Sequence, residues 1–480
     1  EEFRVAAVMD RVETTATVWL GLTFNCAQCH SHKHDPLSQQ DYYRLYAFFN
    51  NTRDSGVEIR PTLKPVPPHA QAQADSLRAE IQRCEDQIRI LAPPPSPATP
   101  PPEMIQKILG KDPDQLTFKE RGILEVWERS QASPAALPWL DRRSRCRNSL
   151  TKLDDHCPPT MVMSELPKPR LTRVLNRGDF RSPGLAVSPG TPAVLHPWPA
   201  GSPTNRLGLA HWLTATNNPL TARVTVNRVW EQYFGRGLVA TLDDFGTQGE
   251  APSHPELLDW LAVDFVRSGW NLKALHRRIA LSATYRQASR TPPELLMRDP
   301  QNQWLARGPR HRLDAEQIHD LTLAAAGRLN RRVGGPSAFP PQPPGIWEQS
   351  WVFEAAEPDR WVEDPAPGRY RRAVYTFIRR TAVYPTALTF DMDNRTVCRV
   401  RRTRTNTPLQ ALTTLNGQLF LEAAAGLAER MLAWAGPPEA KLTHGFRRCV
   451  TRPPEPSELV LLAGLLQESQ AMFSANEAAA

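Results

Sequence analysis

The chain has no apolar run long enough to cross a bilayer. Its longest, Leu459 to Leu466, spans eight residues, against roughly 20 for a membrane helix, so no transmembrane segment is expected. No secretory leader is present, and the first residue, Glu1, falls inside what reads as a helix, so a processed chain or a fragment is expected. There is no Gly-rich phosphate loop, no G-x-S-x-G elbow and no H-E-x-x-H helix, which removes three large enzyme classes on signature. Beyond the stretch Cys26 to His34 there is no second C-x-x-C and no H-x3-5-H pair, which excludes a conventional zinc finger. Cys84, Cys146, Cys157, Cys398 and Cys449 are scattered without the spacing of a disulfide framework. No internal repeat is evident.

What is present in excess is proline, 47 of 480 residues, about twice the ordinary share. Many segments must therefore be extended or looped. The length predicts roughly two to four domains with sizeable cores. Net charge is +8, carried mostly by arginine, with clusters at Arg277-Arg278, Arg371-Arg372, Arg379-Arg380 and Arg399 to Arg404. Arginine suits planar oxyanions, so a polyanionic polysaccharide is a candidate partner. Nucleic acid is not expected, because no binding module accompanies the charge.

The most specific chemistry lies in Cys26-Ala27-Gln28-Cys29-His30. C-x-x-C-H is the attachment pattern of c-type haem. Thiols three positions apart lie on one face of a helical turn and can form thioethers with the two vinyl groups of one porphyrin. The adjacent His30 can ligate the iron. His32 and His34 crowd the same stretch, so two Cys and two His around zinc is the competing reading, and a bare Cys pair the plainest one. Met161 and Met163 are thioether candidates for the far side of the iron, although a Met in an apolar run more often packs a core.

Along the chain, residues 1–50 read as helical. Ser38 with Asp41 forms a capping box before an aromatic-rich helix through Tyr42, Leu45, Tyr46 and Phe49. Leu77, Ile81, Cys84, Ile88 and Leu91 step as a short coiled-coil seam, seven prolines fill Ala92 to Pro102, and a return helix is predicted around Leu137 to Leu153. Residues 159–203 read as an extended linker. From Thr204 helices are predicted over Asn205–Leu213, Leu220–Tyr233, Leu272–Ala283, Asp314–Leu329, Thr407–Leu415 and Gln418–Ala433. Another follows a capping box of Ser253 and Glu256. Alternation over Arg371 to Thr381 predicts a strand. Asp391 and Asp393 stand two apart near Arg395, Arg401 and Arg402. They are a candidate acid–base pair, with a salt-bridged loop as the plainer account; Asp243-Asp244 is a similar pair that a turn or helix cap explains.

Two sets of motifs resemble known families. Leu20-Gly21-Leu22-Thr23, then Cys26 to Lys33, then Asp35-Pro36-Leu37-Ser38-Gln39-Gln40-Asp41-Tyr42-Tyr43, resemble the end of the planctomycete-specific cytochrome-like domain. Asn217 to Val224, Asn227-Arg228-Val229-Trp230, Phe234 to Val239, Asp243-Asp244-Phe245-Gly246, Ser253 to Leu261, Ser282 to Gln287 and Thr405 to Leu412 resemble the planctomycete-specific domain that usually follows it. Both are domains of unknown function. The resemblance implies an exported, periplasmic or extracellular protein, often with an upstream cytochrome c module. It implies Cys26, Cys29 and His30 as haem residues, with His32 and Asp35 as neighbours of unassigned role. Where the family usually has an aromatic residue after Lys33, this chain has His34, which favours the metal-site alternative.

The expectation is a mainly α, multidomain chain with a small β element. Residues 1–60 would be the end of the cytochrome-like domain and 61–158 a helical hairpin arm. Residues 159–203 would form the linker and 204–480 the C-terminal domain. The expected role is haem-c electron transfer to a redox partner protein. The alternatives are an enzyme or binding protein for polysaccharide, and a scaffold with structural zinc.

Overall fold

The structure, a computed structural model, describes residues 1–53, 62–63, 70–91, 101–110, 116, 118–154, 160–346 and 361–475. It is mainly α, with seventeen α-helices among the described residues. Two compact units divide the chain: residues 1–224 with 244–249, and residues 225–243 with 250–480.

The first unit begins with α1 (Glu2–Thr15), a π turn over Ala16–Leu20 and a 3-10 turn over Phe24–Gln28, followed by α2 (Gln39–Asn50). The expected capping box opens α2: the Ser38 hydroxyl accepts from the Asp41 N–H, and the Asp41 side chain accepts from the Ser38 N–H. The aromatic stripe of α2 is core, as its spacing allows: Tyr42, Tyr43, Leu45, Tyr46 and Phe48 are buried against Val8, Val12, Leu20 and Phe24 of the preceding turns. The inserted arm is larger than a hairpin. α3 (Gln71–Leu91) packs on α6 (Leu137–Asp154), bridged by Arg147 and Glu85 at 2.7 Å, but α4 (Glu103–Leu109) and α5 (Phe118–Gln131) lie between them in the chain. Most of the proline-rich tip, 92–100, and Cys157 lie outside the described residues.

The stretch read as an extended linker does more than lie along a surface. β1 (Thr62–Leu63) pairs antiparallel with β2 (Thr160–Met161), and β3 (Thr172–Leu175) forms a hairpin with β4 (Pro183–Val187). Leu175 is buried in the same core as α2, with Phe180, Leu195 and Trp198 packed against it. α7 (Arg206–Leu213) adds Leu209, Trp212 and Leu213 to that core, and its N-cap Asn205 accepts from the N–H groups of Leu207 and Gly208. α8 (Thr221–Phe234) carries the border between the units.

The second unit holds α9 (Pro255–Arg267), α10 (Leu272–Leu281), α11 (Pro293–Arg298), α12 (Ala315–Ala326) and α13 (Pro385–Thr389). It ends with α14 (Pro408–Asn416), α15 (Gln418–Leu432), α16 (Pro438–Val450) and α17 (Pro456–Ala475). α12, α14 and α16 pack around α15. The β structure sits at 62–63, 160–161, 172–175 and 183–187, not at 371–381 as expected. Residues 373–375 form a 3-10 turn, and Thr376 makes only an isolated bridge to Ala338. The reason is chemical. Pro336, Pro340 and Pro341 flank Ala338 and carry no N–H, so no ladder can extend along that side.

Candidate functional site

The C-x-x-C-H stretch sits on the 3-10 turn Phe24–Gln28 and the residues just after it. This is a tighter turn than the α-helical one expected. With three residues per turn, it still places positions i and i+3 on one face. Phe24 and Ala27 point inward and are buried, while Cys26 and Cys29 are exposed free thiols.

Several groups fix this turn. The Gln28 carbonyl accepts from Tyr43 Oη at 2.9 Å and from Gln39 Nε2 at 3.1 Å. Burial pushes the Tyr43 phenol up from its usual pKa, with the nearby Cys29 adding to the rise, so it stays a protonated donor. Gln39 N–H donates to Ser31 Oγ at 3.2 Å. The β3–β4 turn reaches the site from the other side. Gly178 has φ +77°, and a Cβ there would lie 3.2 Å from Cys29 Sγ, so a side chain would crowd the thiol.

The three histidines differ in what their nitrogens already do. His30 is exposed, and its Nδ1 lies 2.7 Å from the Ser31 carbonyl. A carbonyl only accepts, so Nδ1 carries the proton and Nε2 presents a free lone pair. This is the arrangement common to metal-ligating histidines, in which one ring nitrogen donates to backbone and the other faces the metal. His32 has a buried side chain. Its Nδ1 accepts the Asp35 N–H at 2.8 Å, and its Nε2 lies 3.5 Å from Thr23 Oγ1. His34 is exposed, with its ring 6.4 Å from that of His32. Among the described residues no three or more His, Cys, Asp or Glu gather around one point.

Asp35 is also structural. It is buried, and its Oδ1 accepts from Thr247 N at 2.7 Å and Thr247 Oγ1 at 2.9 Å. A Cβ on Gly246 would meet the Asp35 carboxylate, so the loop 244–249 needs glycine there. Sequence reasoning missed this clamp, as it missed Gln39, Tyr43 and Ser31. The clamp joins residues 212 apart in sequence, and no local pattern signals it.

Met161 and Met163 are exposed. Their segment runs beside the C-terminal end of α2, where Arg53 N–H donates to Ser164 O and Thr52 bridges Glu165. The C-x-x-C-H turn is held at the other end of that helix, by Gln39 and Tyr43. Twelve residues of helix separate the two by about 18 Å.

In the second unit Asp391 and Asp393 are not a facing pair. Asp391 has φ +63° and binds Thr405 through N–H and Oγ1 at 2.8 and 2.9 Å, with an ion pair to Arg312. Burial raises its carboxyl pKa, but these hydrogen bonds and the Arg312 charge outweigh burial and hold it below the usual range. Asp393 pairs instead with Arg399 at 3.4 Å. Arg402 is bidentate to Glu316 at 2.6 and 2.9 Å, and Arg404 meets Asp314 and Glu231. These arginines are largely spent on internal carboxylates, the plainer of the two readings of that cluster.

A family model described as "PSD1: Protein of unknown function (DUF1553)" matches residues 205–466, and one described as "PSCyt2: Protein of unknown function (DUF1549)" matches residues 1–54. Neither a curated protein nor a solved structure matches the chain.

Proposed function

Because the chain belongs to the PSD1 family, whose description names no reaction, its chemistry has to be argued from its own residues, and we propose that it is an exported redox protein carrying haem c on Cys26, Cys29 and His30. Cys26 and Cys29 would hold the group as thioethers, and His30 Nε2 would ligate the iron. When bound, such a haem supplies one-electron chemistry between ferric and ferrous iron. The observation that carries the reading is the state of the donors: two exposed free thiols on one face of a 3-10 turn, beside an imidazole whose Nδ1 is engaged and whose Nε2 is free. The other two histidines support it by contrast. His32 has both ring nitrogens within reach of internal partners, and His34 lies beyond the turn.

The chain's own part is to hold the turn. Tyr43 and Gln39 fix the Gln28 carbonyl, Ser31 fixes the His30 tautomer, and Asp35 ties the following loop to Thr247. Exposure of the thiols leaves the site open to a redox partner, such as a separate cytochrome c module. Attachment belongs outside the cytoplasm, where c-type maturation occurs.

The test is expression alongside a cytochrome c maturation system, followed by haem staining of a denaturing gel. A stained band at the full chain, lost in Cys26→Ser and in Cys29→Ser, is the expected result. Unstained protein with both thiols unmodified, or stoichiometric zinc without visible absorbance, overturns the proposal.

A further inference from the structure

The ends of α3 and α6 show that the two helices run antiparallel. At one end Ser133, just before α6, donates from Oγ to the carbonyl of Leu91, the last residue of α3, at 3.0 Å. At the other end β1, which precedes α3, pairs with β2, which follows α6. Leu77, Ile81, Cys84 and Ile88 step by four, three and four along α3, and Arg143, Cys146, Leu150 and Leu153 step by three, four and three along α6. These are the spacings of a helix–helix seam. Cys84 and Cys146 are free thiols, the first buried and the second part-exposed, and each is the only cysteine on its helix.

Two ion pairs cross the seam, Arg142 to Glu80 and Arg147 to Glu85. In an antiparallel pair these are opposite diagonals, so their midpoints are level: positions 82–83 of α3 stand opposite positions 144–145 of α6. Cys84 is then level with Arg143, three residues short of Cys146, an offset of about 4.5 Å along the axis. The side chains close that gap. Each Cα–Cβ bond tilts toward the N-terminus of its own helix. In this register Cys84 leans toward the level of Cys146, and Cys146 leans back toward the level of Cys84. Packed helices lie 8–10 Å apart on Cα cylinders of radius about 2.3 Å, which puts the two Cα atoms about 6–7 Å apart, at the long end of the usual disulfide range of roughly 4.4–6.8 Å. The Cys84 thiol also senses its neighbour: burial pushes its pKa up, and Glu80 and Cys146 add to the rise, against Arg142 and Arg143.

We propose that Cys84 and Cys146 are a disulfide site that staples the inserted arm in an oxidising compartment. Cys146, the more accessible of the two, attacks a small disulfide such as glutathione disulfide as its thiolate and releases one glutathione, leaving a mixed disulfide. Cys84 then attacks the Cys146 sulfur and releases the second glutathione. The two protein thiols lose two electrons and two protons, and glutathione disulfide takes up both. The bridge closes the span that holds α4 and α5, so it removes freedom mainly from the unfolded arm. None of the residues around Cys26 takes part, and the bridge forms with or without haem, so the redox reading and this one fail separately.

The test is incubation of the folded full chain in a glutathione buffer of oxidising ratio, then alkylation and digestion with Asp-N protease, which isolates Cys84 in residues 75–85 and Cys146 in residues 141–153. The expected result is these two peptides linked, with the link lost on reduction. Amide exchange across α3 and α6 should slow by about tenfold or more in the oxidised chain. Cys146→Ser, a change at a part-exposed position, should abolish both the link and the slowing. Full alkylation of both thiols, linkage of either to a different cysteine, a link that forms only after denaturation, or a link that leaves exchange unchanged overturns the proposal.

Discussion

Two stretches of this molecule are rich in titratable groups, and they differ in what remains uncommitted. In the second unit, the carboxylates and several arginines from Asp391 to Arg404 are engaged, Asp391 on Arg312 and Thr405, Asp393 on Arg399 and Arg402 on Glu316, while the Cys398 thiol is free and exposed. In the first unit, the stretch from Cys26 to Asp35 commits His32 and Asp35 to internal partners but leaves both thiols and His30 Nε2 free. The two stretches share residue types and differ in which donors and acceptors are left without an internal partner.

The comparison breaks first at Asp391. Asp391→Asn tolerates the left-handed backbone at φ +63° but puts an amide where Arg312 needs an anion. The expected loss is about 1–3 kcal/mol of stability, read by chemical denaturation, with haem staining unchanged. The pH dependence follows from the same carboxyl. Its folded-state pKa is depressed, because hydrogen bonds and the Arg312 charge outweigh burial. Its contribution is therefore complete above the unfolded value, about 3.9, and is lost as pH falls through the lower folded value. The gap between wild type and Asp391→Asn should be full at pH 6 and close on acidification. A gap that stays constant down to pH 2 would show that the carboxylate charge plays no part.

At His32 the comparison sharpens. Its Nδ1 accepts the Asp35 N–H, and an Asn side-chain oxygen can take over that role. His32→Asn is expected to keep stability within about 0.5 kcal/mol, whereas His32→Ala leaves a part-buried N–H unpaired and costs about 1–2 kcal/mol. Haem staining per folded molecule should be the same in both. Loss of staining in both would make His32 a ligand rather than a support, and the contrast drawn between the three histidines would fail.

Much of the helical framework was legible, for identifiable reasons. Ser38 with Asp41 is a capping box within four residues, so the signal and its structural consequence share one turn. The aromatic stripe of α2 became core because its spacing follows the helix period. The failures lie where distant chain decides. The alternation at 371–381 is present in the sequence, but its neighbour is proline-flanked and cannot complete a ladder. The arm was expected to be a hairpin of α3 and α6, which do pack on each other; α4 and α5, which lie between them in the chain, were not anticipated. At the candidate site, C-x-x-C-H was legible as a motif. The Asp35–Thr247 clamp was not, since it depends on a partner far along the chain.

The smallest expected effect compares two serines that look alike in sequence. Ser38 and Ser253 each precede an acidic residue by three positions and an apolar run. Ser38 caps α2 in both directions. Ser253 does not cap α9: Pro255 takes the first helical position, His254 becomes the N-cap, and the Ser253 hydroxyl donates to the Leu238 carbonyl at 3.2 Å. Pro is favoured at the first helical turn because its missing N–H would have been unpaired there, so it shifts the boundary one residue past the serine. Ser38→Ala should therefore cost about 1 kcal/mol. Ser253→Ala, which removes a hydroxyl bonded to the Leu238 carbonyl and to His254 Nδ1 but to no helix N–H, should cost about 0.5 kcal/mol, the low end for a neutral hydrogen bond. Thermal melts of the two variants at equal pH measure the difference, and equal losses would mean that the acidic residue three positions on, not the proline, sets where α9 begins.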